Sequence, residues 1–200
     1  MPRLFIAVDT PASVRPALIE ARDRLRVVRT DVSWDRDEKL HCTLKFLGEI
    51  RNEGVPGVLR TLEEVGKAGS PLTLTYEGLG CFPNRRDPRV IWAGIRETDG
   101  RLEALARSID AAMVLHGVEK EKRAFHPHVT LGRVKGQRGL RELLATLETI
   151  TFVCPPVAIH EIMLVKSELR PSGSVYSVLQ RVALGKAGSR DTGSGLTAPD

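Results

Sequence analysis

His41-Cys42-Thr43-Leu44 and His128-Val129-Thr130-Leu131 repeat one pattern, His-x-Thr-Leu, in a chain of 200 residues that holds five His. By composition alone His-x-Thr should occur about 0.3 times in such a chain, so two copies, each followed by Leu, call for a chemical reason. Two imidazoles on either side of a phosphodiester form an acid–base pair. One, neutral, takes a proton from the attacking oxygen; the other, as imidazolium, gives a proton to the leaving oxygen. An unperturbed imidazole titrates near ~6.5, so either state is accessible at neutral pH, and each role is typically worth about 10²–10⁴ in rate. The two Thr hydroxyls can donate to the non-bridging phosphate oxygens, where charge accumulates. No metal or nucleotide cofactor is required. The competing chemistry is a metal site: His126 and His128 lie two apart, and His41 could be a third ligand. No Asp, Glu or Cys flanks them at ligand spacing, and a metal has no use for the Thr.

The elements that must position these groups can be read from the pattern. Residues two apart on a strand share a face. His41 and Thr43 therefore point one way and Cys42 and Leu44 the other, and the same holds for His128 and Thr130 against Val129 and Leu131. KLHCTLKFLG (39–48) and HVTLGRV (128–134) both read as strands. RLFIAVD (3–9), LTLTYEGLG (72–80) and RVIWAGI (89–95) are further strands, and two more fall within 150–165 and 174–183. Helices are predicted where apolar residues recur at steps of three and four. The first carries Val14, Leu18, Ala21, Leu25 and Val28, with Ser13 as its cap and Pro16 in its first turn. The second carries Val55, Leu59, Leu62 and Val65; the third carries Leu102, Leu105, Ile109 and Ala112 and stops near Gly117; a short one covers about 139–147. This order suggests α+β lobes with antiparallel or mixed sheets. There is no Gly-rich phosphate loop.

Composition bounds the rest. Apolar residues make up 42% and aromatics 4%, so the core must be aliphatic. No apolar run approaches the ~20 residues that span a membrane, and the first residues lack the apolar segment of a secretory signal. A cytoplasmic chain is expected. Cys42, Cys81 and Cys154 are isolated and odd in number, which suits buried thiols rather than a disulfide framework. The net charge of +5 falls on the folded body, because the last fifteen residues carry two charges of each sign. That favours a polyanionic partner.

RLFIAVD, LHCTLKFLG, GLGCFP, RVIWAGI, FHPHVTLGR and SELRPSGSVYSVL, in this order, resemble the bacterial and archaeal RNA 2′,3′-cyclic phosphodiesterases, also called 2′-5′ RNA ligases, of the two-histidine phosphoesterase superfamily. The resemblance covers about residues 3–183. It implies a bilobal α+β fold: two pseudo-symmetric antiparallel sheets with helices outside, each donating one His-x-Thr strand to a central cleft. One bilobal domain is then expected over 1–184, with a disordered tail over 185–200 and a monomeric chain. The implied reaction opens an RNA 2′,3′-cyclic phosphate to a 2′-phosphate without a cofactor or metal, with reversible 2′-5′ ligation by the same groups. By match to the motifs, His41 would be the proton donor to the 3′ oxygen, His128 the base that activates water, and Thr43 and Thr130 holders of phosphate oxygens. Arg133 matches an Arg near the phosphate, although five residues past His128 a regular strand would turn it away; a bulge at Gly132 could turn it back. His126 reads as a rim residue. Strand parity puts Lys45 on the His41 face and Phe46 in the core. Arg85 and Arg86, on a turn-rich loop, are candidates for RNA backbone contact, and His116 and His160 are read as structural or exposed. The alternatives are a phosphodiesterase for other 2′-5′-linked or cyclic nucleotides and a non-catalytic RNA-end-binding module.

Overall fold

The computed structural model describes residues 1–171 and 173–185. Among these, nine strands pair antiparallel throughout: β1 (Arg3–Asp9), β2 (Val32–Trp34), β3 (His41–Glu49), β4 (Leu72–Phe82), β5 (Val90–Arg96), β6 (His128–Val134), β7 (Val157–Ile159), β8 (Glu161–Arg170) and β9 (Gly173–Ala183). Their order is β7-β4-β5-β6-β3-β1-β8-β9, with β2 added to β6. The four helices are α1 (Arg15–Arg26), α2 (Val55–Ala68), α3 (Arg101–Met113) and α4 (Leu140–Thr149).

The pairing is continuous, but its two halves meet at a single residue pair between β3 and β6. This divides the fold into two lobes of matching order. Going outward from the junction, β3-β1-β8-β9 form the first lobe and β6-β5-β4-β7 the second. The helices cross over. α1 follows β1 yet packs on α4, which packs on β4, whereas α3 follows β5 yet packs on α2 and β3. Each lobe is thus tied to the other by a helix that leaves it.

The main core lies between the helices and one face of the strands. The stripe read from α1 is buried throughout: Val14, Leu18, Ala21, Leu25 and Val28. Each fully buried aliphatic side chain of this kind contributes about 1.5–3 kcal/mol. Ser13 makes no cap; the helix begins at Arg15 with Pro16 in its first turn and no side-chain cap. The buried face of α2 centres on Val58 and Leu62, with Val55, Leu59 and Val65 at its edges. Gly117 ends the helical segment after α3 in the left-handed region, at φ 75°. No helix among the described residues is long and apolar enough to cross a membrane. Of the tail expected to be disordered, only Gly185 lies within the described residues.

Candidate active site

Cys42 faces Val129 at the junction of the lobes, and both side chains are buried on the helix side. Their strand neighbours therefore point to the opposite face. Antiparallel pairing sets His41 across from Thr130 and Thr43 across from His128. One residue pair thus brings four polar groups from the two repeats together, all half-buried.

The two strands then break register at the same place. Ile6 pairs with Lys45 and Ala7 with Thr43, which leaves Leu44 as an extra residue. Ile91 pairs with Gly132 and Trp92 with Thr130, which leaves Leu131 extra. Each Leu of His-x-Thr-Leu is a bulge, and a bulge reverses the parity of the residues after it. From the motif His onward both strands show the same sequence of burial: half-buried, buried, half-buried, buried, buried, exposed. The exposed residues are Phe46 in one lobe and Arg133 in the other, and both return to the face of the histidines.

The bulge corrects two expectations. Lys45 does not line the groove. It turns to the helix side, where its ammonium donates to Asp110 Oδ1 at 2.5 Å and to the Glu119 carbonyl at 2.6 Å. Phe46, expected in the core, is 66% exposed on the site face, with its ring 6.0 Å from that of Phe5. The signal that could have found it is the repeat itself. Phe46 stands five residues after His41, as Arg133 stands five after His128, so the bulge invoked for one strand applies to both.

Each imidazole is held by parts of the same kind. The His41 ring hydrogen-bonds the Lys39 carbonyl and brings its Nε2 to 3.1 Å from Thr43 Oγ1. It stacks on Phe5 at 4.9 Å and meets the edge of Tyr176 at 5.5 Å. His128 donates from Nδ1 to the His126 carbonyl at 2.6 Å, and Phe82 meets it edge-on at 5.0 Å. In each case the carbonyl belongs to the residue two before the motif His. His128 so held leaves Nε2 for a ligand. Burial pushes His41 down to about 4, against the Lys39 carbonyl and Asp9, which favour the proton. His128 is also lowered, first by burial and then by the Arg133 charge, against the pull of the His126 carbonyl.

Arg133 is exposed and makes no ion pair among the described residues. Its charge nevertheless acts on both imidazoles. Asp35 lies within reach of its charge without forming an ion pair, and a guanidinium so placed suits a phosphate. His126 is exposed, with its ring 6.0 Å from Phe82. Arg85 is drawn to α4, pairing with Glu148 at 2.7 Å and donating to the Leu144 carbonyl. Arg86 lies exposed on the same loop. His116 bonds Thr61 Oγ1 at 2.8 Å, away from the site, and His160 is exposed. Among the described residues no three of His, Cys, Asp and Glu gather closely enough to hold a metal. Sequence reasoning also missed the rings of Phe5, Phe82 and Tyr176. They come from β1, β4 and β9, and only the strand order brings them to the two His.

The model of the LigT-like phosphoesterases matches residues 8–92 and 95–176. The chain belongs to that family. A relative of this LigT-like phosphoesterase, the RNA 2′,3′-cyclic phosphodiesterase of Aquifex aeolicus, is 34% identical over 189 residues, 92% of this chain and 97% of the relative. Among solved structures, TT0787 of Thermus thermophilus is 32% identical with a TM-score of 0.77, over 92% of this chain and 99% of that one. E. coli LigT in complex with 3′-AMP is 28% identical with a TM-score of 0.73, over 93% of this chain and 100% of that one.

Proposed function

We propose that this LigT-like phosphoesterase hydrolyses RNA 2′,3′-cyclic phosphodiester ends to 2′-phosphomonoesters with a metal-independent His/His pair. The observation that carries the reading is the Cys42–Val129 pair, which sets His41 across from Thr130 and Thr43 across from His128 on one face. A phosphate between the two strands meets an imidazole and a hydroxyl from each. His128, neutral at Nε2, takes a proton from water as its oxygen bonds to phosphorus. The bond from phosphorus to O3′ breaks, and His41 as imidazolium gives its proton to O3′. The proton gained by one imidazole equals the proton lost by the other. Thr43, Thr130 and Arg133 stabilise the charge on the non-bridging oxygens.

Burial disfavours the imidazolium at both histidines and holds His41 down to about 4, so the charged His41 that the acid role needs depends on the bound phosphate. Arrival of an anionic phosphodiester raises both imidazoles, because negative charge favours imidazolium. Phe46 presents an exposed ring beside the site, a surface on which the terminal base can stack. A 5′-hydroxyl of a second RNA in place of water would give 2′-5′ ligation with the same proton transfers; the abundance of water favours hydrolysis. The relatives named as RNA 2′,3′-cyclic phosphodiesterases support the substrate class.

The test is turnover of 2′,3′-cyclic AMP with excess EDTA. The expected product is 2′-AMP alone, at a rate that the chelator does not change. A 3′-phosphate product would show that the bond to O2′ breaks instead, and activity restored only by zinc would show that the reaction is not metal-independent; either would sink the proposal.

A further inference from the structure

The two lobes differ most where the strands next to the motifs face the site. In the second lobe Trp92 stands across from Thr130, and its ring lies over Gly80, where a Cβ would overlap it. In the first lobe the residue across from Thr43 is Ala7. A cavity of about 510 Å³ opens there, lined by His41 and running out to β9. Its floor holds an apolar row that crosses three strands in register, Phe5, Val165 and Val178, and Phe46 on β3 continues that row outside the cavity. Phe5, Val165 and Met163 form a small cluster of their own with Tyr176, separate from the main core. Val178, at the far end, is 46% exposed.

Both rim arginines are already paired, while Glu38 adds a carboxylate that forms no ion pair among the described residues. Asp9 accepts from Arg15 and from Arg181, both at 2.9 Å, and Arg181 also pairs with Glu161 at 2.6 Å. An apolar, partly aromatic floor under neutralised guanidinium groups suits a planar base rather than a phosphate. Lys39 supplies charge at the edge, its ammonium 5.5 Å from the centre of the Tyr176 ring. That position suits the phosphate that links two nucleotides.

We infer that this cavity is a subsite for the penultimate nucleoside of an RNA 3′ end, and that the enzyme therefore reads at least two nucleotides. The inference rests on the proposed function. If His41 protonates O3′, the terminal ribose stands on the side of the first lobe. The chain leading from its C5′ then crosses that lobe, where the cavity is, while the terminal base keeps to Phe46.

The experiment compares kcat/KM for 2′,3′-cyclic AMP with kcat/KM for the dinucleotide ApA ending in a 2′,3′-cyclic phosphate. The dinucleotide should be favoured about fivefold or more, the low end of what one stacked base supplies. Val178→Asp sits on the exposed rim of an edge strand, where a polar residue leaves folding intact, and should erase most of that preference by lowering the dinucleotide value. Tyr176→Leu, read by the same ratio, should erase part of it. Equal efficiency on both substrates, or a preference that survives Val178→Asp, would overturn the subsite while the functional reading stands. If a 5′-hydroxyl oligonucleotide competes with the mononucleotide and Val178→Asp relieves that competition without changing the ratio, the cavity belongs to an acceptor strand and the inference is wrong. Failure to turn over either substrate would remove both the functional reading and the subsite.

Discussion

The two lobes share the groups that would touch a phosphate and differ in what would touch the rest of a substrate. Shared are the His and Thr, the bulged Leu, the carbonyl two residues before the His and an aromatic ring against the imidazole. Different are the positions just beyond: Phe46 against Arg133, Ala7 against Trp92, Lys45 against Gly132. A phosphate has near-twofold symmetry and can be held by duplicated parts. A nucleotide has none, so its base needs an apolar lobe and its charge a cationic one. On the proposed mechanism, the duplicated fold would supply the chemistry and the divergence of the lobes its direction.

The comparison breaks first, if it breaks, at the shared parts. His41→Ala and His128→Ala should each lower turnover of 2′,3′-cyclic AMP by about 10²-fold or more. Both side chains are half-buried at the cleft, so circular dichroism should show a native fold. Because the pair acts as a unit, the double variant should be little worse than the worse single one. A single variant that kept more than a tenth of the activity would mean that its lobe is dispensable.

The differing parts should give smaller effects of two kinds. Arg133→Gln removes charge-assisted hydrogen bonds worth about 1.5–3 kcal/mol, so kcat/KM should fall roughly 10- to 100-fold, with kcat sharing the loss. Phe46→Ala removes only a stacking surface. KM should rise about fivefold or more while kcat holds. If the two substitutions gave the same pattern of kcat and KM, the division into a charge-holding and a base-holding lobe would be wrong.

The pH profile carries the smallest and most discriminating effect. Burial holds both imidazoles below their usual value, His41 at about 4. In the free enzyme both limbs of kcat/KM should therefore lie on the acid side of ~6.5. The limbs of kcat, which report the enzyme–substrate complex, should lie higher, because the bound anion favours imidazolium. Stability responds in the same direction. A histidine lowered on folding contributes above its unfolded pKa, and that contribution is lost as the pH falls from about 6.5 toward 4. Limbs of kcat/KM on the alkaline side of ~6.5 would contradict the burial argument, and limbs of kcat below those of kcat/KM would contradict the effect of the bound anion.

Much of this was legible in the sequence. β1 and β6 begin and end where alternation and turn residues place them, and the α1 stripe is buried as its spacing predicts. β2 was missed because three residues give too short a pattern. The face of Lys45 and Phe46 was missed because parity arguments assume a regular strand, and the Leu44 bulge is a property of the β1–β3 register. The crossing of α1 and α3 between lobes is tertiary and leaves no local mark. Tyr176 and Phe5 reach His41 only through the order β3-β1-β8-β9.

The central claim is that the two matched histidines play different parts, His41 as acid and His128 as base. A nitrophenyl phosphodiester tests it most directly, because its leaving oxygen needs no proton. Relative to 2′,3′-cyclic AMP, this substrate should restore much of the activity lost in His41→Ala and none of that lost in His128→Ala. Rescue of His128→Ala instead would show that the lobes are assigned the wrong way round, and equal rescue of both would show that they are not distinguished at all.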